Sequence, residues 1–229
     1  MIKAVVFDLD HTLFDRHGTL KVVAKHFCER FDMNPEMSDE EFTRKWIYAD
    51  DTFVYSGWQY IYENLIENGV FNTVPTFEEY RDFVVEQFHH NAVSFPETVP
   101  MLEELKKRGF KTALITNGHH SLQYRKIDML GLRNVFDEII VSGDTDFEKP
   151  DARIFLLMAQ KLGVEADEMI YVGDHPVNDI EGATSAGCKT IWMKCKSPLI
   201  ECKIPPDETV LKVEEVPFAV EKIINRSKD

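Results

Sequence analysis

The sequence predicts an α/β protein, a parallel-sheet core carrying an inserted all-helical domain. Three observations carry that prediction. Short apolar stretches without polar alternation recur along the chain, helical patterns closed by glycine separate them, and one long segment near the N-terminus drops the alternation altogether.

The first strand is Ala4–Phe7. Four more are expected at Thr112–Ile115, Glu138–Val141, Met169–Val172 and Thr190–Met193. Their apolar residues run continuously, the pattern of strands buried on both faces. Helical patterns lead into or join the last four. Glu97–Arg108 is stopped by Gly109, Leu122–Leu130 by Gly131, Asp151–Leu162 by Gly163 and Ile180–Ala186 by Gly187. Glycine stops a helix because it takes the left-handed conformation without a Cβ clash. Strand–helix alternation of this kind implies parallel pairing with right-handed crossovers. Thr209–Val213 and Glu215–Asn225 add one further strand and helix.

Residues 16–95 are different. Leu20, Val23, Ala24, Phe27 and Phe31 keep helical spacing, and Trp58, Ile61, Tyr62 and Leu65 mark another stripe. Ser38 with Glu41, and Thr76 with Glu79, read as capping boxes that open two more helices. The expected division is therefore a core of residues 1–15 and 96–229 and a helical insertion of residues 16–95. From Asp15 to Phe95 there are 15 acidic and 7 basic side chains, so the insertion is the more acidic part. Lys196–Asp207, with three prolines, is the most loop-like stretch.

With 229 residues, 44% of them hydrophobic, the chain can build a substantial core. Forty acidic against 26 basic residues give a formal charge of −14. That balance disfavours nucleic acid and anionic membrane as partners but leaves small anions open, since these answer to local fields. No apolar run approaches the roughly 20 residues needed to span a bilayer. The N-terminal apolar run is broken by Asp8 and Asp10 and lacks a small-residue cleavage site, so a cytoplasmic protein is expected. A monomer or homodimer is expected. Cys188, Cys195 and Cys202 recur every seven residues, but zinc sites need a closer pair, and reduced structural thiols are the expectation. The pairs His89-His90 and His119-His120 point different ways on any regular element, so surface or loop placement is expected for both.

In a parallel sheet, ligands bind beyond the carboxyl ends of the strands. The residues just past each strand end are therefore the candidate site. Asp8, Asp10 and Thr12 come after the first strand; Thr116, Asn117 and Gly118 come after the second. The third leads to Lys149-Pro150-Asp151, and the fourth to Gly173-Asp174 and Asn178-Asp179. Asp8, Asp10, Asp174 and Asp179 would repel one another unless a hard cation sat among them, and with oxygen ligands only Mg²⁺ is the natural occupant. Thr116 and Asn117 offer a hydroxyl and backbone N–H groups at a helix start, an anion-binding arrangement, and Lys149 adds a positive charge. Carboxylates, metal and anion donors together describe phosphoryl transfer.

The motifs around these residues resemble those of a known family. "DLDHTLF" (8–14), "LITNG" (114–118), "EKPDARIF" (148–155) and "VGDHPVNDIEGATSAG" (172–187) are similar, in order, to the four motifs of the haloacid dehalogenase-like superfamily, across Lys3 to about Met193. The resemblance implies a Rossmann-like core and makes the insertion the family's helical cap. One departure is His11, where glycine is common. Asp8 would be the nucleophile that forms an aspartyl-phosphate. Asp10 would protonate the leaving alkoxide and then activate water. Asp8, the Asp10 backbone carbonyl and Asp174 would bind Mg²⁺, with Asp179 supporting the metal shell or orienting Lys149. Thr116, Asn117 and Lys149 would hold the phosphate.

The expected activity is Mg²⁺-dependent hydrolysis of a small phosphorylated metabolite, a nucleoside monophosphate or sugar phosphate. A phosphomutase uses the same motifs and remains the alternative, as does a non-catalytic phosphate-binding protein, although Asp8, Asp10, Lys149 and Asp174 are all present. Asp10 argues against haloacid dehalogenation, and Lys45 shows no sign of the desolvation that phosphonate hydrolysis through a Schiff base needs. A signalling receiver would be about half this length. The core handles only phosphate and metal, so substrate choice is expected from the insertion, where Arg44, Lys45, Trp46 and Trp58 are the candidates.

Overall fold

In a computed structural model the chain is described over residues 1–54, 56–194 and 202–226. It divides into two compact units, Met1–Asp15 with Ser94–Asp229 and Arg16–Val93.

The first unit is built on six parallel strands: β1 (Ala4–Phe7), β2 (Lys111–Thr116), β3 (Glu138–Val141), β4 (Met169–Gly173), β5 (Lys189–Met193) and β6 (Glu208–Val210). Their order is β3-β2-β1-β4-β5-β6, so the chain winds outward from β1 to one edge and then returns to β1's other side. That reversal is a topological switch point, and it falls at the end of β1. Register brings the neighbouring ends level, because Phe7 pairs with both Leu114 and Val172. All four residues of β1 and all five of β4 are buried, as the unbroken apolar runs require.

The connecting helices are α5 (Thr98–Lys107), α6 (His120–Met129), α7 (Ala152–Leu162), α8 (Gly182–Ser185) and α9 (Val216–Arg226), with α1–α4 lying in the other unit. Ile154, Phe155 and Met158 of α7 share a core with Ala4, Val6, Ala113, Ile115 and Tyr171 of the sheet. The Asp151 carboxylate caps α7 by accepting from the Arg153 N–H. Gly109, Gly131, Gly163 and Gly187 all take positive φ, between 65° and 92°.

Two elements differ from the sequence reading. The helix expected at Ile180–Ala186 is a π-helical turn, Pro176–Glu181, followed by only four α-helical residues. The turn brings Asp179 against Gly173, where an added Cβ would sit 2.4 Å from the Asp179 carboxyl carbon. The wide turn lays Asp179 directly on the strand end. The last strand is also shorter than Thr209–Val213, because Val213–Glu215 already winds as a 3₁₀ turn into α9. Of the loop-like stretch Lys196–Asp207, residues 196–201 lie outside the described residues.

The second unit holds α1 (Arg16–Arg30), α2 (Asp39–Phe53), α3 (Trp58–Glu67) and α4 (Phe77–His90). Thr76 and Glu79 form the full capping box at α4. At α2, Ser38 caps the Glu41 N–H, while the Glu41 carboxylate lies 3.5 Å from Lys45. The core is aromatic and centres on Phe27, whose ring lies 5.0 Å from Phe42 and 4.8 Å from Trp46. Inside it Arg16 and Asp50 form a two-pronged ion pair at 2.6 and 2.7 Å. No described helix is long and apolar enough to cross a membrane.

Candidate active site

Asp8 and Asp10 leave β1 in a tight turn. The Asp8 N–H still bonds the Val172 carbonyl at 2.9 Å, and the Leu9 carbonyl then accepts from the N–H groups of Thr12, Leu13 and Phe14. His11 sits at φ 61° within this turn. That is the left-handed region, which explains why glycine suits the position.

Lys149 is the centre of the buried cluster. Its Nζ lies 2.6 Å from Asp8 Oδ1, 2.6 Å from Asp179 Oδ1 and 3.0 Å from the Tyr171 hydroxyl. Tyr171 in turn donates to the Ile115 carbonyl. The Asn117 side chain fixes the lysine backbone from both sides, accepting from Lys149 N–H and donating to Lys149 C=O, each at 2.9 Å. Asp179 Oδ2 accepts from the His175 N–H at 2.9 Å. Burial pulls the Lys149 pKa down, but Asp179 and Asp8 outweigh it and hold the ammonium well above its ordinary value.

The carboxylates are strained electrostatically. Burial raises Asp8 to about 7; Lys149 opposes the rise, and Asp179 and Asp10 add to it. Burial, with Asp179 and Asp8 beside it, holds Asp174 well above the carboxylate range. Asp174 Oδ1 is sealed from solvent and has no hydrogen-bond partner. Oxygens of Asp8, Asp174 and Asp179 all lie within 4.8 Å of one another. An oxygen-only donor set, crowded and with an unsatisfied buried oxygen, fits a hard divalent cation such as Mg²⁺. Trp192 Nε1 donates to the Asp174 carbonyl at 2.8 Å and steadies the residue from β5.

The Asp10 side chain does not join that group. It turns to α6, where Lys126 Nζ lies 2.7 and 2.8 Å from its two oxygens. Gln123 Nε2, one turn earlier, donates to Thr116 Oγ1 at 2.5 Å and to the Asn117 carbonyl at 2.8 Å. Sequence reasoning missed Gln123, Lys126 and Tyr171. The available signal was spacing, since residues three apart on a helix share a face and α6 starts right after the second strand end.

In the helical unit, Arg44 and Lys45 line a groove of about 230 Å³ with Tyr48, Asn64 and Asn68. Trp58 is partly buried against that unit's core. Trp46 is 1% exposed, stacked on Phe42 and tilted against Phe27, so its ring offers no surface to a substrate and the expectation for it is corrected. Cys28, Cys188 and Cys202 are free thiols; Cys195 lies outside the described residues. His119 and His120 are exposed, bonded to Ser121 and Asp144.

Residues 5–193 match the family model described as haloacid dehalogenase-like hydrolase. The chain is 30% identical over 207 residues to the glyceraldehyde 3-phosphate phosphatase of Methanothermobacter thermautotrophicus, covering 83% of this chain and 85% of that protein. It is 28% identical to the human N-acylneuraminate-9-phosphatase, over 84% of this chain and 82% of the relative. Among solved structures, a phosphatase of the same family from Thermococcus onnurineus superposes with a TM-score of 0.62 at 25% identity, covering 96% of this chain and 98% of that one.

Proposed function

The chain belongs to the haloacid dehalogenase-like hydrolase family and is a phosphoric monoester hydrolase, and from that premise we propose that it hydrolyses a small phosphorylated metabolite through an aspartyl-phosphate on Asp8. The observation that carries the reading is the placement of Lys149 between Asp8 and Asp179, with the oxygens of Asp174 gathered at the same strand ends.

Asp8 attacks phosphorus with one carboxylate oxygen. The bond from phosphorus to the ester oxygen breaks, and Asp10 delivers a proton to that oxygen as it leaves. Asp10, now ionised, then takes a proton from the water that attacks the aspartyl-phosphate, releasing inorganic phosphate and regenerating Asp8. Lys149 and Thr116, with the Asn117 backbone, hold the phosphoryl oxygens. Asp8, Asp174 and the Asp10 carbonyl would hold Mg²⁺, and Asp179 supports that shell while orienting Lys149. When bound, the ion supplies positive charge that offsets repulsion between the nucleophile and the phosphate.

The names of the relatives favour sugar phosphates; nucleoside monophosphates stay in the panel from the sequence reading alone. Arg44, Lys45 and Trp58 remain the candidates for substrate selection, to be tested by whether their alanine variants reorder kcat/KM among such substrates. The central test is phosphate release from a panel of phosphorylated metabolites by the protein and by Asp8→Asn. An amide neither attacks phosphorus nor balances a cation, so Asp8→Asn should retain less than about 1% of activity. Greater retention would remove Asp8 from the nucleophile's role.

A further inference from the structure

We propose that Lys126 is a positioning residue for Asp10, holding its carboxylate in the one orientation from which it exchanges protons with the leaving group. The proposal rests on Asp10 as the proton-transferring group and extends that role to a residue outside the four strand ends.

The geometry is specific. Both Asp10 oxygens lie within 2.8 Å of a single ammonium, and Gln123 Nε2 stands 3.3 Å from Oδ2. A carboxyl group on its own turns easily about its last torsion, because that torsion is broad and roughly two-fold. Gripping both oxygens removes this freedom. The pair is not an ordinary surface ion pair, since the Lys126 and Asp10 side chains are only 13% and 23% exposed. The lysine is itself placed, with its ammonium 5.0 Å from the Phe14 ring centroid and its stem on the face of α6 that carries Gln123. Gln123 ties the same helix to Thr116 and to the Asn117 carbonyl. One helix face therefore sets the phosphate-holding strand end and the proton-transferring carboxylate relative to each other.

A general acid works only within hydrogen-bond reach of the atom it protonates, and a misplacement of about 1 Å can cost about a hundredfold. Loss of Lys126 should therefore be felt where protonation of the leaving group matters and nowhere else. A lysine that only neutralises charge or props the fold would act on all substrates alike.

The test uses the full chain with saturating Mg²⁺, glycerol phosphate as an alkyl ester, and p-nitrophenyl phosphate, whose leaving group needs little protonation. Lys126→Met should lower kcat on glycerol phosphate by about tenfold to a hundredfold and on p-nitrophenyl phosphate by less than about threefold, with KM nearly constant. Lys126→Arg keeps the charge and can donate to both Asp10 oxygens through its guanidinium fork, so it should recover part of the loss. The double variant Asp10→Ala/Lys126→Met should match Asp10→Ala on both substrates, because the lysine has nothing left to position. Equal losses on the two esters, no loss on either, or the same loss with and without Asp10 would overturn the proposal while leaving Asp10 in its role. If Asp10→Ala itself slows both esters equally, the reading of Asp10 fails first, and the proposal falls with it.

Discussion

Asn117 and Lys149, 32 residues apart, hold each other by two opposed hydrogen bonds of 2.9 Å, side-chain amide to backbone amide. The pairing copies the two-way exchange of a strand ladder, and it clamps the loop after β3 against the end of β2. Lys149 can then extend a buried side chain to Asp8 and Asp179 without the loop shifting. Asn117→Ala removes both bonds and leaves the Lys149 backbone groups unpaired. At about 1–3 kcal/mol for such a loss, and about 2–4 °C per kcal/mol in a chain of this size, the melting temperature should fall by about 2–12 °C. Activity should fall at least tenfold, because the lysine Nζ is displaced from Asp8. Kinetics and a thermal melt of the same preparation check both. Full activity with a lowered melting temperature would make the clamp purely structural.

The carboxylate group makes a prediction about metal that does not depend on turnover. Mg²⁺ at about a hundred times its dissociation constant should stabilise the fold by about 2.7 kcal/mol, raising the melting temperature by about 5–10 °C, and EDTA should reverse the rise. Asp174→Asn should abolish the response. It should not lower the melting temperature of the metal-free protein, because the Asp174 carboxylate is disfavoured there by burial and by the charges of Asp179 and Asp8. A metal response that survives in Asp174→Asn would place the ion elsewhere.

Much of this site was legible before the fold was known, because each strand end advertises itself by residue type. Ala4–Phe7 and Glu138–Val141 fall where continuous apolar runs put them. Asp8, Thr116 and Asp174 stand next to such runs, while Lys149 and Asp179 lie in the loop or turn that follows one. Lys126 and Gln123 left only their three-residue spacing as a signal, which was too weak to single them out, since a polar residue on a helix reads as solvent-facing until its helix is docked, and Gln123 is 5% exposed. The π-helical turn was hidden for a related reason, as the close approach of Asp179 to Gly173 joins residues on two different elements and leaves no local pattern. Trp46 was readable in principle. It shares helical spacing with Phe42 and Ala49, both buried, so its period marked it as core.

Cys188 should be chemically silent in the native protein. Burial pushes its thiol up to about 12, so at pH 8 only about one molecule in ten thousand carries the thiolate that reacts. A raised pKa keeps the protonated, unreactive form across the neutral range, and each unit of pH gains about a tenfold increase from that low base. Cys202, half-buried, should be alkylated by iodoacetamide well before it. Mass mapping of labelled peptides at pH 7, 8 and 9, with a denatured control, measures the ratio. Labelling of Cys188 at the rate of Cys202 would mean that the α8–β5 region opens readily.

The ion pair inside the helical insertion should behave as a buried charge pair, costly to break and cheap to replace. Arg16 grips both oxygens of Asp50 at 2.6 and 2.7 Å, the two side chains are only 9% and 2% exposed, and the guanidinium also lies 5.0 Å from the Phe88 ring centroid. Such a pair contributes little net stability, because desolvating two charges offsets most of their attraction, yet removing one partner strands the other in the core. Arg16→Met should therefore cost about 3–5 kcal/mol, on the order of a 10 °C fall in melting temperature. Replacing both charges, Arg16→Met with Asp50→Leu, should restore most of that loss, since the partners are then apolar, Met fills most of the space of Arg, and Leu keeps the branching of Asp. Urea or thermal unfolding of the two single variants and the double variant closes the cycle. Additive losses would show that Arg16 and Asp50 act through other neighbours, whereas recovery in the double variant means the penalty is that of the charge left behind.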